Sequence, residues 1–441
     1  MISSCRKGEA EPLADLQPLQ AIRYAPDIDL CRVICPPFDT ISPEEQKRLY
    51  KLSPHNAVRL ELSKGDGDPY QAAAKTLREW LNRGTLVRDE APAFYVYQQE
   101  FRHGGETRRR RALFGRLRLE PWGQGSVFPH EQTFRAPKED RLKLLHSLRL
   151  NTSPVFLVYP DSQQQVAPLV ARAVSDRPSV EFTDDDGLSH ALWRIDDPHL
   201  AVAIARSLER ERLYVADGHH RYETALAYRD ERLGGSTAVP SGDEPKDFVL
   251  AALVAANDPG LLVLPIHRLV DVDVSLERTL DSLVSLFEVE TRPSLADLLR
   301  DMQDRGRTVS SFGLVAADTP DFYLLTLFDP EAAERYLPSE RPPIWHHLDA
   351  AIAAHVILRH ALGLSDAQME DIRTVWYEEG AEAAVAEVRR GRARYGLLLN
   401  PVSPRRILAV ADAGERMPQK STFFYPKLPT GLLFYPLFAP E

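Results

Sequence analysis

A chain of 441 residues is too long for one small core and leads us to expect two or three lobes. Hydrophobic residues make up 44% and charged residues 27%, as in an ordinary soluble globular protein. A formal net charge of -10 argues against a protein that coats nucleic acid, which needs a cationic face.

The three cysteines, Cys5, Cys31 and Cys35, are too few and too close to form a disulfide framework, so we expect a reducing cytoplasm. Cys31 and Cys35 read as small buried residues flanking a strand or loop. Residues 1–20 read as a variable tail, with acids and prolines where a secretory leader carries an apolar stretch. The segment "RVICPPFDTISPEEQKRLYKL" predicts a strand, a stiff Pro36-Pro37 turn and a helix with Ser42 as N-cap and Pro43 at its first position. "DPYQAAAKTLREWLNRGTL" predicts an amphipathic helix with Ala73, Leu77, Trp80 and Leu81 inward and Gly84 as its stop. "AFYVYQQEF" and "RRALFGRLRLE" predict a hairpin turning at Gly104-Gly105, with the basic run Arg108 to Arg111 as a solvated strand start or an anion attractor.

A helix from about Lys138 and a buried strand over Val155–Tyr159 follow. "RLYVADGHHRYETALAYRDERL" predicts strand, tight Asp217-Gly218 turn and helix, then an exposed loop "GGSTAVPSGDEPK". "FVLAALVAANDPGLLVLPI" is broken at Asn257-Asp258-Pro259 and predicts two buried strands instead of a membrane span. "DVSLERTLDSLVSLFEVE" and "SLADLLRDMQDRG" predict helices, "VSSFGLVAADTPDFYLLTL" paired strands, and "WHHLDAAIAAHVILRHALGL" a further helix. The sum is a mixed α/β (α+β) architecture. Its expected divisions are an N-terminal α/β lobe over 21–160, a central lobe over 161–340, and a segment over 341–441 that packs back on the core.

Chemistry concentrates in few places. At the strand–Asp217-Gly218–helix junction, Asp217 is placed to cap the helix and Gly218 lets a ligand approach the backbone. The helix start, with His219, His220 and Arg221, makes an anion cradle: amides, imidazoles and a guanidinium suited to bidentate phosphate contact. Asp217 could instead hold a Mg²⁺ that bridges phosphate oxygens. His219 and Glu223 stand at i and i+4, a metal-sharing spacing, but a third ligand is missing and Arg221 would repel a cation. A capped helix with surface histidines is the plain alternative.

"PHEQT" offers His130 and Glu131 as a general base, or as a loop carboxylate pairing with a nearby arginine. Lys138 and Arg141 crowd one helix start and could face a polyanion or solvent. In "GERMPQKSTFFYPK" the run containing Lys420 and Ser421 is similar to the polar end of a phosphate loop, without the spacing of a Walker motif. Asp39 follows two prolines and serves equally as a ligand group or an Asx-turn acceptor. His346, His347 and Asp349 read as capping and packing residues.

Taken together, "CPPFDTIS", "FPHEQT", "APKEDRLKLL", "SPVFLVYPD", "YVADGHHRYETAL", "LPIHRL", "LLLNP" and "RMPQKSTFFYPKLPTGL" resemble, in order, the family called domain of unknown function 1015. The resemblance spans about Ile22 to Phe434; Phe38 stands where members commonly carry Tyr. The Asp-Gly-His-His-Arg core is similar to the signature of the sulfiredoxin and ParB-like fold, including free-serine kinases. That resemblance implies a ParB/sulfiredoxin-like nucleotide-binding core within a larger multi-lobed chain. It implies phosphoryl transfer to a small hydroxyl metabolite, with free L-serine as acceptor and ATP, ADP or pyrophosphate as donor. Asp217, His219, His220 and Arg221 would grip donor and Mg²⁺, Glu131 would take the acceptor proton, and Lys138, Arg141, Lys420 and Ser421 would assist. The partner is a small molecule, with no membrane, and a homodimer is allowed. The rival expectations are a nucleotide-binding regulatory protein without transfer chemistry and a metal-dependent hydrolase.

Overall fold

The computed structural model describes residues 13–64, 67–131, 135–232 and 242–438. It is a mixed α/β chain, as the alternation of strand and helix patterns predicts. The chain falls into two compact units. Met1–Pro129, Thr133–Leu262 and Pro426–Glu441 make up one, and His130–Gln132 with Val263–Tyr425 the other.

The first unit is built on a nine-stranded sheet. From one edge the strands are Val127–Pro129, Leu213–Asp217, Val155–Tyr159, Phe248–Ala255, Glu106–Arg118, Phe94–His103, Ser189–Ile195 and Val180–Thr183, with Leu16–Gln17 paired onto Glu106–Arg118. Val155–Tyr159 runs parallel to Phe248–Ala255 and antiparallel to Leu213–Asp217. Every residue of Phe248–Ala255 is buried. A central strand covered on both faces has no solvent side, which explains its unbroken apolar sequence. The predicted hairpin is in register from Tyr95 opposite Phe114 to His103 opposite Glu106, and Gly104 and Gly105 both adopt the positive φ its turn requires.

Helices build a second core beside this sheet. Ser42 caps Pro43–Leu52 by accepting the Glu45 amide at 3.1 Å. Pro69–Asn82 buries Ala73, Leu77 and Trp80 against Leu144 and Leu148 of the Arg135–Leu148 helix.

Two expectations for this unit are corrected. The strand expected around Cys31 is a helical turn, Leu30–Val33, because the Asp29 carboxylate caps the Cys31 amide at 3.1 Å. Cys35 is buried but Cys31 is only half-buried. Of the expected tail, Leu16 is buried and pairs with Leu117, whereas residues 1–12 lie outside the described residues. Most of the expected exposed loop, its residues 234–241, also lies outside them.

The second unit carries a six-stranded antiparallel sheet. Its order is Phe287–Arg292, Phe322–Leu327, Ser311–Ala316, Tyr395–Leu398, His267–Val270 and Val375–Glu378. Leu298 and Met302 of the Leu295–Arg305 helix and Ala384 and Val388 of the Ala381–Arg389 helix fill one core here. The expected helix through "LVSLFEVE" ends at Leu283, and Phe287–Arg292 is an edge strand. The helix expected from Trp345 is interrupted: Pro343–His346 stops, Leu348 is extended, and Asp349–Ile352 leads into a π-helical stretch, Ala353–Ala361.

His267 sits almost wholly inside this unit, its Nδ1 accepting the Leu399 amide at 3.2 Å. Burial first, and the Arg268 charge second, push its pKa down to about 4. The unfolded chain therefore binds a proton there between about pH 6.5 and 4 that the folded chain refuses, and stability falls as pH drops through that window. The loss reaches roughly 3 kcal/mol for a shift of this size. His267→Gln should flatten that part of the thermal-unfolding profile relative to wild type. Superimposable pH profiles for the two proteins refute this.

Candidate functional site

The strand–Gly–helix junction forms as its sequence predicts. Leu213–Asp217 ends on Asp217, and the helix His219–Arg232 begins two residues later. Gly218 between them has φ +93°, and a Cβ there would meet the Arg221 guanidinium at 3.0 Å. Only glycine allows both the turn and this close return of Arg221. Arg221 folds back one helical turn, donating to Asp217 Oδ2 and to the Pro154 carbonyl. Asp217 Oδ1 accepts from Lys427 Nζ at 2.5 Å. Burial alone would raise the Asp217 carboxyl, but Lys427 and Arg221 together more than offset it and hold it well below the usual carboxylate range. The centre is thus an ionised acid clasped by two cations, at a helix start whose first amides have no intrahelical carbonyl. His219 is buried beside it and His220 half-buried.

This clasp argues against Asp217 as a Mg²⁺ ligand. Both of its oxygens already face cations, and among the described residues no group of three or more His, Cys, Asp or Glu is arranged to hold a metal. Glu223, at i+4 from His219, accepts from Lys138 at 2.9 Å and from the Trp122 indole at 3.1 Å.

Arg221 also lines a small open cleft in the first unit, shared with Phe38, Glu61, Arg141, Ser153 and Thr224. Residues far apart in the sequence therefore meet there. Arg141 is buried, lies over the Phe38 ring at 4.2 Å and donates to Glu61 Oε2 at 3.0 Å. Glu61 Oε1 accepts from Ser153 at 2.9 Å. Arg141 thus brings a guanidinium into the cleft with a carboxylate already on it, while Lys138 is turned onto Glu223.

His130, Glu131, Lys420 and Ser421 belong to the second unit. Glu131 bridges Met417, and Met417 N–H donates to the His130 carbonyl at 2.7 Å. Glu131 Oε1 accepts the backbone amide of Lys420 at 2.8 Å. Lys420 has φ +55°, a left-handed conformation that costs energy for a residue other than glycine and presents this amide. The Lys420 side chain is exposed, so what the structure uses here is its main chain. His130 is wholly buried with Nε2 3.0 Å from Thr422 Oγ1. Ser421 is buried and donates to the Pro418 carbonyl. Arg268, from "LPIHRL", is a buried guanidinium: burial lowers its pKa, and Tyr377 and the Glu131 charge partly restore it.

Two cations have no conspicuous signal in the sequence. Lys427 stands at the end of a segment in which the polar run around Lys420 is the stronger feature. Arg268 lies in an apolar context, and only its place in an ordered motif could have marked it.

A family described as "Protein of unknown function (DUF1015)" matches residues 16–351. No curated protein matches the chain in sequence. Among solved structures the chain is similar to a free serine kinase in complex with AMP, at 13% identity, covering 70% of this chain and 89% of that one with a TM-score of 0.33. It is also similar to SbnI with C-terminal truncation from Staphylococcus aureus, at 13% identity, 71% and 84% coverage and a TM-score of 0.35. A conserved hypothetical protein from Pyrococcus furiosus matches at 12% identity, 70% and 92% coverage and a TM-score of 0.32.

Proposed function

This chain belongs to the DUF1015 family, and we propose that it is a phosphotransferase acting on a small hydroxyl metabolite, with free L-serine the first acceptor to test and ATP, ADP or pyrophosphate as donor. The observation that carries the proposal is the Asp217 centre. Two cations, Arg221 and Lys427, converge on one acid at a helix start, and Arg221 lines a cleft. A phosphate fits the Arg221 guanidinium fork and the helix-start amides together.

In the mechanism we propose, Arg221 exchanges part of its contact with Asp217 for phosphate oxygens, while Asp217 keeps the guanidinium and Lys427 in place. Asp217 is unsuited to accept a proton itself, because its cations hold it ionised. A separate carboxylate must deprotonate the acceptor. Glu131 is our candidate, oriented by the Lys420 amide. Phosphoryl transfer demands little covalent chemistry of the protein beyond alignment and charge stabilisation. Mg²⁺ arriving on a nucleotide would come as part of the substrate.

The test is to incubate the chain with L-serine, Mg²⁺ and each donor in turn, and to look for phosphoserine. Arg221→Ala should weaken donor binding by roughly 10- to 100-fold, the worth of a charge-assisted hydrogen-bond pair. Donor affinity unchanged by Arg221→Ala removes that residue from the site. If no donor yields phosphoserine while a nucleotide still protects the wild type from thermal unfolding, the chain binds without transferring, as a regulatory protein would.

A further inference from the structure

Strand alternation puts Arg108 and Arg110 of the run Arg108–Arg111 on the face of Ala112 and Phe114, and Arg109 and Arg111 on the other. Near the turn, Arg108 pairs with Glu106 and Arg109 with Glu100. Arg110, further along the inward face, is only 1% exposed. Taking a guanidinium out of water is costly unless its donors are used well, and the position of this one shows how they are used.

Arg110 is the direct cross-strand partner of Gln99. Its Nη2 donates both to Gln99 Oε1 and to the main-chain carbonyl of Pro426, 2.5 Å away in the latter case. Gln99 Nε2 donates in turn to the next carbonyl, that of Lys427, at 3.1 Å. One pair of facing side chains thus holds two successive carbonyls of the segment whose lysine reaches Asp217. The Arg110 guanidinium also lies over the Phe156 ring at 5.1 Å, and Phe156 is the ladder partner of Asp217. Both members of the Lys427–Asp217 pair are therefore tied to the same sheet, Asp217 by its ladder and Lys427 through Gln99 and Arg110. Burial lowers the Arg110 pKa to about 10, with Tyr97, Asp258 and Asp217 opposing the fall, so it stays charged at neutral pH.

We infer that Arg110 and Gln99 are positioning residues for the phosphate site: they clamp the Pro426–Lys427 main chain and so deliver the Lys427 ammonium to Asp217. The inference rests on the phosphotransferase proposal only for the consequence of the clamp, not for its existence.

The experiment therefore reads the two separately on the full-length chain. Acetylation of lysines by acetic anhydride, followed by peptide mass spectrometry, reports how far Lys427 is shielded; its side chain is 19% exposed. Titration with inorganic pyrophosphate and with ADP reports the site. Gln99→Leu keeps the side-chain size and removes both of its clamp contacts; Arg110→Met is the second variant. In Gln99→Leu, Lys427 should acetylate roughly tenfold faster and probe affinity should fall roughly tenfold, as for the loss of one or two hydrogen bonds. Lys138, paired with Glu223, is the internal control: its rate stays at the wild-type value if the fold is intact. Unchanged Lys427 acetylation in a folded Gln99→Leu overturns the clamp, as does a rise shared equally by Lys138. If Lys427 labelling rises selectively but wild type binds neither probe, the clamp stands and the phosphotransferase proposal falls.

Discussion

If the chain is the phosphotransferase we propose, Lys427→Met should lower kcat/KM by roughly 10²- to 10³-fold, the usual consequence of deleting one preorganised charge partner of a transferring group. The methionine fills similar space but removes one of the two cations that clasp Asp217, leaving the Arg221 ion pair. Arg221 is then held more tightly by the acid that had been shared, so the guanidinium is less available to a phosphate. Stability should fall too, by about 1–3 kcal/mol, because both side chains of the lost pair are largely buried and one hydrogen-bonded charge partner remains. The pH dependence has a definite sign. The Asp217 carboxyl is depressed in the folded chain, so its contribution is present above the unfolded carboxylate pKa, near 4, and is lost as pH falls below it. Removing Lys427 weakens that depression, and the acid limb of the unfolding profile becomes shallower. A variant with kcat/KM within threefold of wild type would show that Lys427 serves the fold alone.

That residue also marks the limit of what the sequence makes legible. The junction at Asp217-Gly218 is a local feature: a β-rich run, a glycine and a helical pattern, all within twenty residues. Period-2 alternation and an unbroken apolar run are equally local, so the Gly104-Gly105 hairpin follows from the first and the buried Phe248–Ala255 strand from the second. Lys427 lies 210 residues from its partner, and nothing in its neighbourhood announces an acid. The polar run around Lys420 is more conspicuous, yet the structure employs the Lys420 amide, through a backbone conformation that no side-chain pattern encodes. Arg110 was within reach: the alternation that buries Ala112 and Phe114 places it on their face, and a buried arginine always needs an account. The missed edge strand at Phe287–Arg292 fails for another reason. Its charged residues alternate in a way that a short amphipathic helix also tolerates, and only its pairing with Phe322–Leu327 decides between them.

Glu131→Gln should lower kcat by roughly 10²- to 10⁴-fold, the range expected when a general base is removed, with donor affinity within about twofold of wild type. Glutamine keeps an oxygen to accept the Lys420 amide, so the loop geometry that Oε1 maintains survives. What disappears is the negative charge, and with it the partial compensation of the buried Arg268 guanidinium. Glu131→Asp separates the two roles: it keeps the charge beside Arg268 but withdraws the carboxylate by one methylene, so partial activity with unchanged thermal stability points to proton transfer. A stability loss in Glu131→Gln that Glu131→Asp restores, without a kcat effect beyond threefold in either, points to a countercharge for Arg268 instead. In that event the base must be sought elsewhere. His130 is a poor heir, since it is wholly buried with Nε2 against Thr422. Asp39 is the better one: it is exposed, it follows the Phe38 that lines the cleft, and it sits in a short 3₁₀ turn behind two prolines that restrict its movement. Asp39→Asn in the Glu131→Gln background then decides whether a carboxylate of the first unit takes the proton.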